Sequence, residues 1–194
     1  MIRKILCIGA FVVLLPACQS RIESQVCRSL VVSDGEAICI LPVGLRPHEL
    51  VGPRMFGART DATLRDRLSS LKEPTGDRID QFGRKWYLFS EDGVQLEAAC
   101  LAVSSVANDN QCFWQLRSVG ATDGSGFDSR LRAILEEVKA SGRMQNGSLH
   151  LISAKGPDGS EESIDFTIDN ERAMSAHWYD PIGSRGLALP WQSP

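Results

Sequence analysis

Histidine is scarce in this sequence, and the cysteines lack the spacing that most metal and redox sites require. The only histidines are His48, His150 and His177, and no two of them have the four-residue helical spacing of a metalloprotease motif. No two cysteines are separated by two residues, so the patterns of zinc knuckles and thioredoxin-like redox sites are missing. We therefore expect neither a metal nor a cofactor.

The sequence also lacks the common signatures of a hydrolase. The nearest approach to a G-x-S-x-G nucleophile motif surrounds Ser125, but aspartate and phenylalanine stand where that motif needs glycine. The adjacent acids Glu136 and Glu137 point in different directions around a predicted helix and do not form a glycosidase pair with each other. We therefore predict no catalytic residue, and the interpretation leans towards a protein that is not an enzyme.

Basic residues are slightly fewer than acidic residues, and the sequence has no apolar run long enough to span a membrane as a helix. The sequence holds 21 lysines and arginines against 24 acids, for a formal net charge of −3. This acidic balance argues against a nucleic acid partner. The apolar run at residues 5–15 covers roughly 16 Å as a helix, which is too short for a hydrocarbon core of ~30 Å.

The N-terminus has instead the three-part layout of an export signal. Arg3 and Lys4 form a short positive region, the apolar run of residues 5–15 follows, and the small residue Ala17 comes after it. An ordinary cleavage site also needs a small residue at the third-last position, where Leu15 stands. The alternative, a buried N-terminal helix, would lack a cap and would leave both basic residues without partners.

The run Leu15-Pro16-Ala17-Cys18 resembles the lipobox of bacterial lipoproteins. In that family a leucine stands three residues before an invariant cysteine, and a small residue directly precedes it. Pro16 departs from the residues usual at its position. The resemblance implies that Cys18 receives a diacylglyceryl group and a further acyl chain such as palmitate, and that residues 1–17 are removed as a signal peptide. It covers about the first twenty residues, and the body of the chain is not recognised.

The same resemblance implies an address and a first partner. In lipoproteins an aspartate after the lipidated cysteine marks retention in the inner membrane, and Gln19 stands there instead, which mildly favours the outer membrane. Several acyl chains are needed for a lasting anchor, because a single chain binds a bilayer only reversibly. We expect a chain anchored to the cell membrane or outer membrane, with its domain in the periplasm or at the cell surface.

The cysteine count fits an exported lipoprotein. Loss of the leader removes Cys7 and leaves five cysteines, an odd number that lipidation of Cys18 reduces to four. An oxidising compartment allows these four to form two disulfides. Four cysteines allow three connectivities. We favour the local one, in which Cys27 bonds to Cys39 and Cys100 bonds to Cys112, because each pair flanks strand-like runs.

Hydrophobic periodicity predicts an α+β fold, an antiparallel sheet of hairpins with two main helices, braced by the disulfides. Helices are predicted at residues 61–72 and 127–140, and a strong hairpin signal lies at Asp34-Gly35. Residues 171–178 fit either a strand or a short helix. The predicted strands are residues 28–32, 36–41, 85–89, 94–103, 111–117, 148–154 and 164–168.

The predicted domain plan is simple. We expect the leader at residues 1–17, a short tether at 18–26 and one α+β domain at 27–180. A subdivision of that domain near residues 120–126 stays open. Residues 181–194 are predicted to form a C-terminal tail.

Two stretches are candidate binding regions. The long loop at residues 42–60 is too apolar for a solvated linker, and it contains Phe56; it either packs on the core or presents a contact surface. The tetrapeptide His177-Trp178-Tyr179-Asp180 pairs a potential base and acid with two aromatic rings. The same four residues suit simple packing of the C-terminal segment, and that interpretation has more weight.

We therefore hypothesise a non-enzymatic envelope lipoprotein that binds another envelope component or has a structural role. One alternative is an envelope hydrolase that uses His177 and Asp180. Another is an inhibitor of a hydrolase that acts through the loop at residues 42–60.

Overall fold

The computed structural model describes residues 20–102, 112–122, 124–155, 161–169 and 172–191. Cys18 and the predicted signal peptide lie outside these residues, as do Val103 and Gln111 at the ends of two predicted strands. Within the described ranges, no helix combines the length and the apolar character needed to cross a bilayer.

In the described part of the chain, ten strands form one sheet. Their spatial order is β1-β2-β3-β8-β9-β10-β7-β6-β5-β4, where the labels follow the chain. Eight of the nine neighbouring pairs are antiparallel, and β3 with β8 is the parallel exception. The strands are β1 Ser20–Ile22, β2 Ser29–Ser33, β3 Glu36–Ile40, β4 Gly76–Ile79, β5 Lys85–Glu91, β6 Val94–Ala102, β7 Cys112–Thr122, β8 Gly147–Ile152, β9 Ser163–Asp169 and β10 Arg172–Tyr179.

The helices of the described chain are few and short. They are a 3₁₀ turn at Pro47–Leu50, α1 at Pro53–Phe56, α2 at Leu64–Ser70 and α3 at Ser129–Ala140. The prediction of an α+β fold with an antiparallel sheet of hairpins and two main helices is therefore wrong, because a single mixed sheet dominates the structure. Local patterns mark strands but do not record which distant strands become neighbours, so the parallel pairing of β3 with β8 left no signal.

The predicted start is accurate for one helix and too early for the other. Asp128 caps α3 at the start of the helix predicted over residues 127–140, and its carboxylate accepts a hydrogen bond from the Arg130 N–H at 2.8 Å. The helix predicted at residues 61–72 begins later than expected, at a capping box in which Thr63 and Asp66 satisfy each other's backbone N–H groups. Of residues 171–178, for which the sequence left strand and helix open, residues 172–178 belong to β10, and Glu171 lies outside the described residues.

The structure confirms both disulfides. Cys27 bonds to Cys39 across a Cα–Cα distance of 5.5 Å, and Cys100 bonds to Cys112 across 5.3 Å. The first braces β3 to the segment before β2. The second joins β6 to β7 close to the edge of the described chain.

The two faces of the sheet differ. The first face packs against the helices, the loop at residues 42–60 and the C-terminal segment, and together these form the core. Its largest fully buried side chains include Trp114 and Trp178. The second face carries mostly polar side chains, because the residues alternate along each strand. We call it the outer face.

Candidate functional site

Histidine–carboxylate contacts occur on both faces of the sheet. Successive residues of a strand point to opposite faces, so His177 lies on the outer face whereas its neighbour Trp178 lies in the core. His48 belongs to the core side, and His150 belongs to the outer face.

The core-side contact is centred on the carboxylate of Glu162. Its Oε1 atom lies 2.7 Å from His48 Nδ1 and accepts a hydrogen bond from Trp178 Nε1 at 2.9 Å. The His48 backbone N–H also points at this oxygen, at 3.3 Å. The His48 ring stacks on the Trp178 indole with centroids 5.3 Å apart. We call these three residues the core cluster.

The core cluster resembles the base-and-orienter pair of some hydrolases, but its surroundings favour a structural role. The side chains of His48 and Glu162 are only 6% and 7% exposed, and each already has a hydrogen-bond partner inside the cluster. The backbone N–H of Glu162 is also satisfied, by the Ser153 hydroxyl at 2.7 Å. A buried carboxylate with several donors is what a stable core requires.

On the outer face, five adjacent strands place polar residues in one row. The register sets His150 opposite Asp165, Asp165 opposite His177, His177 opposite Arg117, and Arg117 opposite Glu97. Directly opposed side chains have Cβ atoms about 4.5–5.5 Å apart, so neighbours in the row interact. We call these residues the polar row.

The ends of the polar row are well paired. His150 Nδ1 lies 2.8 Å from Asp165 Oδ1, and its Nε2 lies 3.3 Å from Glu36 Oε1. At the other end, Arg78 holds Glu97 with two hydrogen bonds, at 3.0 and 2.5 Å. Arg117 makes only a long contact with the same carboxylate, at 4.0 Å. The middle of the row is therefore less fully satisfied than its ends.

Two buried nitrogens near the middle of the row have no hydrogen-bond partner in the described part of the chain. They are His177 Nε2 and Gln115 Nε2. Gln115 lies opposite Tyr179 on the outer face, two residues before Arg117, and it is only 1% exposed. Native structures rarely leave buried polar atoms unsatisfied, so each such atom needs an explanation.

The indole of Trp86 lies beside the His177 ring and is held firmly in place. Its ring centroid is 6.0 Å from that of His177, and its Nε1 donates to Asp80 Oδ2 at 3.0 Å. The guanidinium groups of Arg78 and Arg84 lie over the indole, at 5.4 and 5.7 Å from its centroid. Burial alone would raise the pKa of Asp80. Hydrogen bonds from the Trp86 indole, from the backbone and side chain of Arg84, and from the Phe82 backbone N–H keep that pKa below its usual range.

Burial lowers the pKa of His177 below its ordinary value of 6.5. The charge of Asp165 works in the opposite direction, whereas those of Arg117 and Arg84 add to the lowering. The imidazole is therefore neutral at pH 7.

This lowered pKa predicts a pH dependence of stability. Below pH 6.5 the unfolded chain binds a proton at His177 before the folded chain does, so the free energy of unfolding should fall as the pH drops from 7 to 5. In His177→Gln the part of this fall in unfolding free energy that comes from His177 should disappear, so the slope of stability against pH should be smaller. Urea unfolding of both proteins at pH 7, 6 and 5 measures it, and equal slopes would contradict the assignment.

The structure separates the candidate binding residues that the sequence had grouped. Phe56 and Trp178 are buried against each other, with ring centroids 5.4 Å apart, so neither presents a contact surface. Asp180 accepts a hydrogen bond from the Gly183 N–H at 2.7 Å and so fixes the adjoining turn. Tyr179 lies half-buried on the outer face, and burial raises the pKa of its phenol. Of the tetrapeptide, only His177 and Tyr179 share the outer face.

Sequence reasoning missed the other residues of this site. Gln115 and Arg117 alternate with buried residues along β7, and Asp165 does so along β9, a pattern that marks a polar face. Nothing in that pattern shows that the strands of these residues flank β10. Trp86 gave even less signal, because an aromatic residue in a strand is ordinarily a core residue.

Within the described ranges, no three His, Cys, Asp or Glu side chains come together in a group that could hold a metal ion. The chemistry available on the outer face is hydrogen bonding and charge, set on a rigid sheet. No protein-family model, curated protein or solved structure matches the chain.

Proposed function

We propose that the protein is a lipid-anchored envelope lipoprotein whose disulfide-braced domain is a non-enzymatic binding module. The anchor is Cys18, and the domain faces the periplasm or the cell surface. The module binds another component of the envelope and needs no nucleic acid or cofactor for this.

The observation that supports the proposal most is the state of the cysteines. All four cysteines in the described part of the chain are joined in disulfides. Such bonds persist in oxidising compartments outside the cytosol, which agrees with an export signal. After removal of residues 1–17, Cys18 is the only cysteine of the sequence left without a disulfide partner, and the lipobox resemblance gives it a use.

The start of the sheet determines how closely such an anchor would hold the domain. The predicted tether at residues 18–26 is interrupted, because Ser20–Ile22 pairs with β2 as an edge strand. Cys18 stands two residues before Ser20, and two residues span at most about 7 Å. A lipid on Cys18 would therefore hold this edge of the sheet directly at the membrane surface.

The contacts of Asp180 and His177, the candidate acid and base, favour binding over catalysis. The Asp180 carboxylate is engaged with the backbone of Gly183, while His177 lies beside Arg117 and Asp165. The loop proposed for an inhibitor buries Met55 and Phe56 in the core. Neither alternative gains support from these contacts.

The test of the anchor is metabolic labelling with a radioactive or clickable palmitate. We expect the wild-type chain to carry the label and to fractionate with membranes, and Cys18→Ala to lose the label and to keep its leader. Cys7→Ala is the matched control, because Cys7 is also a leader-region cysteine but would leave with the signal peptide. Equal labelling of Cys18→Ala and wild type would refute the anchor, as would an uncut chain with free thiols in the cytosol.

A further inference from the structure

We infer that the outer face carries a binding site for a small organic carboxylate, formed by Arg117, Gln115 and His177 against the indole of Trp86. The inference rests on the geometry of the sheet and does not depend on the lipid anchor.

The register brings the three polar residues together. Gln115 and Arg117 lie two residues apart on β7, and His177 lies on the adjacent strand β10, directly opposite Arg117. Gln115 is diagonal to His177, and Cβ atoms in diagonal positions are about 7–8 Å apart. A single small ligand can therefore contact all three side chains.

The unpartnered nitrogens show that the protein alone does not complete this site. Gln115 is almost completely buried, yet its Nε2 donates no hydrogen bond to any described residue, and His177 Nε2 also lacks a partner. The neutral imidazole can carry its proton on Nε2, and the glutamine amide always offers N–H donors. Two buried donors in diagonal positions call for an acceptor between them.

The local charge favours an anion as that acceptor. Glu97 is already held by two hydrogen bonds from Arg78, so Arg117 keeps only a 4.0 Å contact with it and its positive charge is poorly neutralised. The carboxylate of Asp165 is turned to a different partner, the His150 imidazole, at 2.8 Å. A guanidinium beside two N–H donors is a typical carboxylate-binding set.

The shape of the site indicates the rest of the ligand. In the register, Ala99 is the residue between Trp86 and Gln115, and its side chain is only a methyl group, which is fully buried. The Trp86 indole reaches past it towards His177 and provides an apolar wall. A carboxylate with a flat apolar body fits such a site better than a phosphate, since only one of the three donors carries charge.

Benzoate is the probe for this site, and benzamide is its neutral control of the same shape. The readout is the imidazole signals of the three histidines in ¹H–¹³C NMR spectra of the full-length protein, purified as the cell makes it. We expect benzoate to shift the His177 signal saturably and to leave that of the buried His48 unchanged. Benzamide should bind at least about tenfold more weakly, because it lacks the charge that pairs with Arg117.

Two substitutions distinguish a binding role from a structural one. Arg117→Gln removes the cation from a side chain that is 41% exposed, so the fold should persist while benzoate affinity falls about tenfold to a hundredfold. Arg132→Gln, on the solvent-facing side of α3, makes the same charge change elsewhere and should have no effect on binding. Gln115→Met keeps the side-chain volume and removes the unpartnered amide, so it should weaken binding without lowering the melting temperature.

Several results would overturn the inference. No shift of the His177 signal at about 50 mM benzoate would show that no carboxylate reaches the two nitrogens. Equal shifts with benzamide, or benzoate binding unchanged in Arg117→Gln, would remove the charge argument. A large fall in the melting temperature of Gln115→Met would show that the amide stabilises the fold rather than a ligand.

Discussion

Replacing Glu162 with alanine should destabilise the fold by about 3–5 kcal/mol, because it breaks a buried polar cluster from its centre. The Glu162 carboxylate accepts from the Trp178 indole and lies 2.7 Å from His48 Nδ1. Without it, both donors stay buried and neither has a replacement acceptor in the core. Each unsatisfied donor costs about 1–3 kcal/mol, and the empty volume adds to that loss.

Urea unfolding at pH 7 under oxidising conditions measures this effect. Glu162→Gln is the informative companion, since it keeps an acceptor oxygen and the side-chain shape but loses the charge, so its loss should be clearly smaller. Glu136→Ala, on the outer side of α3, controls for removing an acid elsewhere and should change stability by no more than about 0.5 kcal/mol. A Glu162→Ala protein as stable as this control would show that the core cluster contributes nothing to stability.

The core cluster also shows what sequence patterns can and cannot predict. Its members are far apart in the chain, in the 3₁₀ turn, before β9 and within β10. Trp178 alternates with polar neighbours, so its burial was foreseeable from the strand pattern. A buried glutamate was not, because an acid beside a polar turn is ordinarily solvated. Only the tertiary fold brings His48 and Trp178 to it.

The fold likewise has elements that local sequence patterns predict and elements that they do not. The helix α3, the Asp34-Gly35 hairpin and the two local disulfides each depend on residues within a dozen positions, and local signals predicted all of them. The parallel pairing of β3 with β8 depends on residues more than a hundred positions apart. The edge strands β1 and β4 are short and contain no buried residue, so they lack the alternation that marks a half-buried strand.

The same limit applies to the outer face. The sequence picked out His177 but paired it with Asp180, its neighbour along the chain, because only chain neighbours are visible in a sequence. In the sheet its neighbours are Arg117 and Asp165, on the flanking strands β7 and β9. Cross-strand contacts are set by register, and register here depends on strand pairings that local patterns do not contain.

The C-terminal segment gives the second large expected effect, since Trp114→Ala should both destabilise the fold and release that segment. Residues 181–194 were predicted to form a tail, but the described part packs onto the sheet around Trp114. The Trp114 backbone N–H donates to the Ser184 hydroxyl at 3.0 Å, and its indole N–H donates to the Leu187 carbonyl at 2.9 Å. Its ring also meets the Trp191 ring edge-on, with centroids 5.3 Å apart.

Truncating this fully buried ring should cost about 3–5 kcal/mol in urea unfolding and should expose the bond after Arg185 to trypsin. Trp114→Phe keeps an aromatic ring and loses the indole N–H, so it should be cut more slowly than Trp114→Ala and faster than wild type. If the C-terminal segment were a tail that merely rests on the sheet, trypsin would remove it from all three proteins at the same rate. Different rates would show that the Trp114 indole ties residues 184–191 to β7.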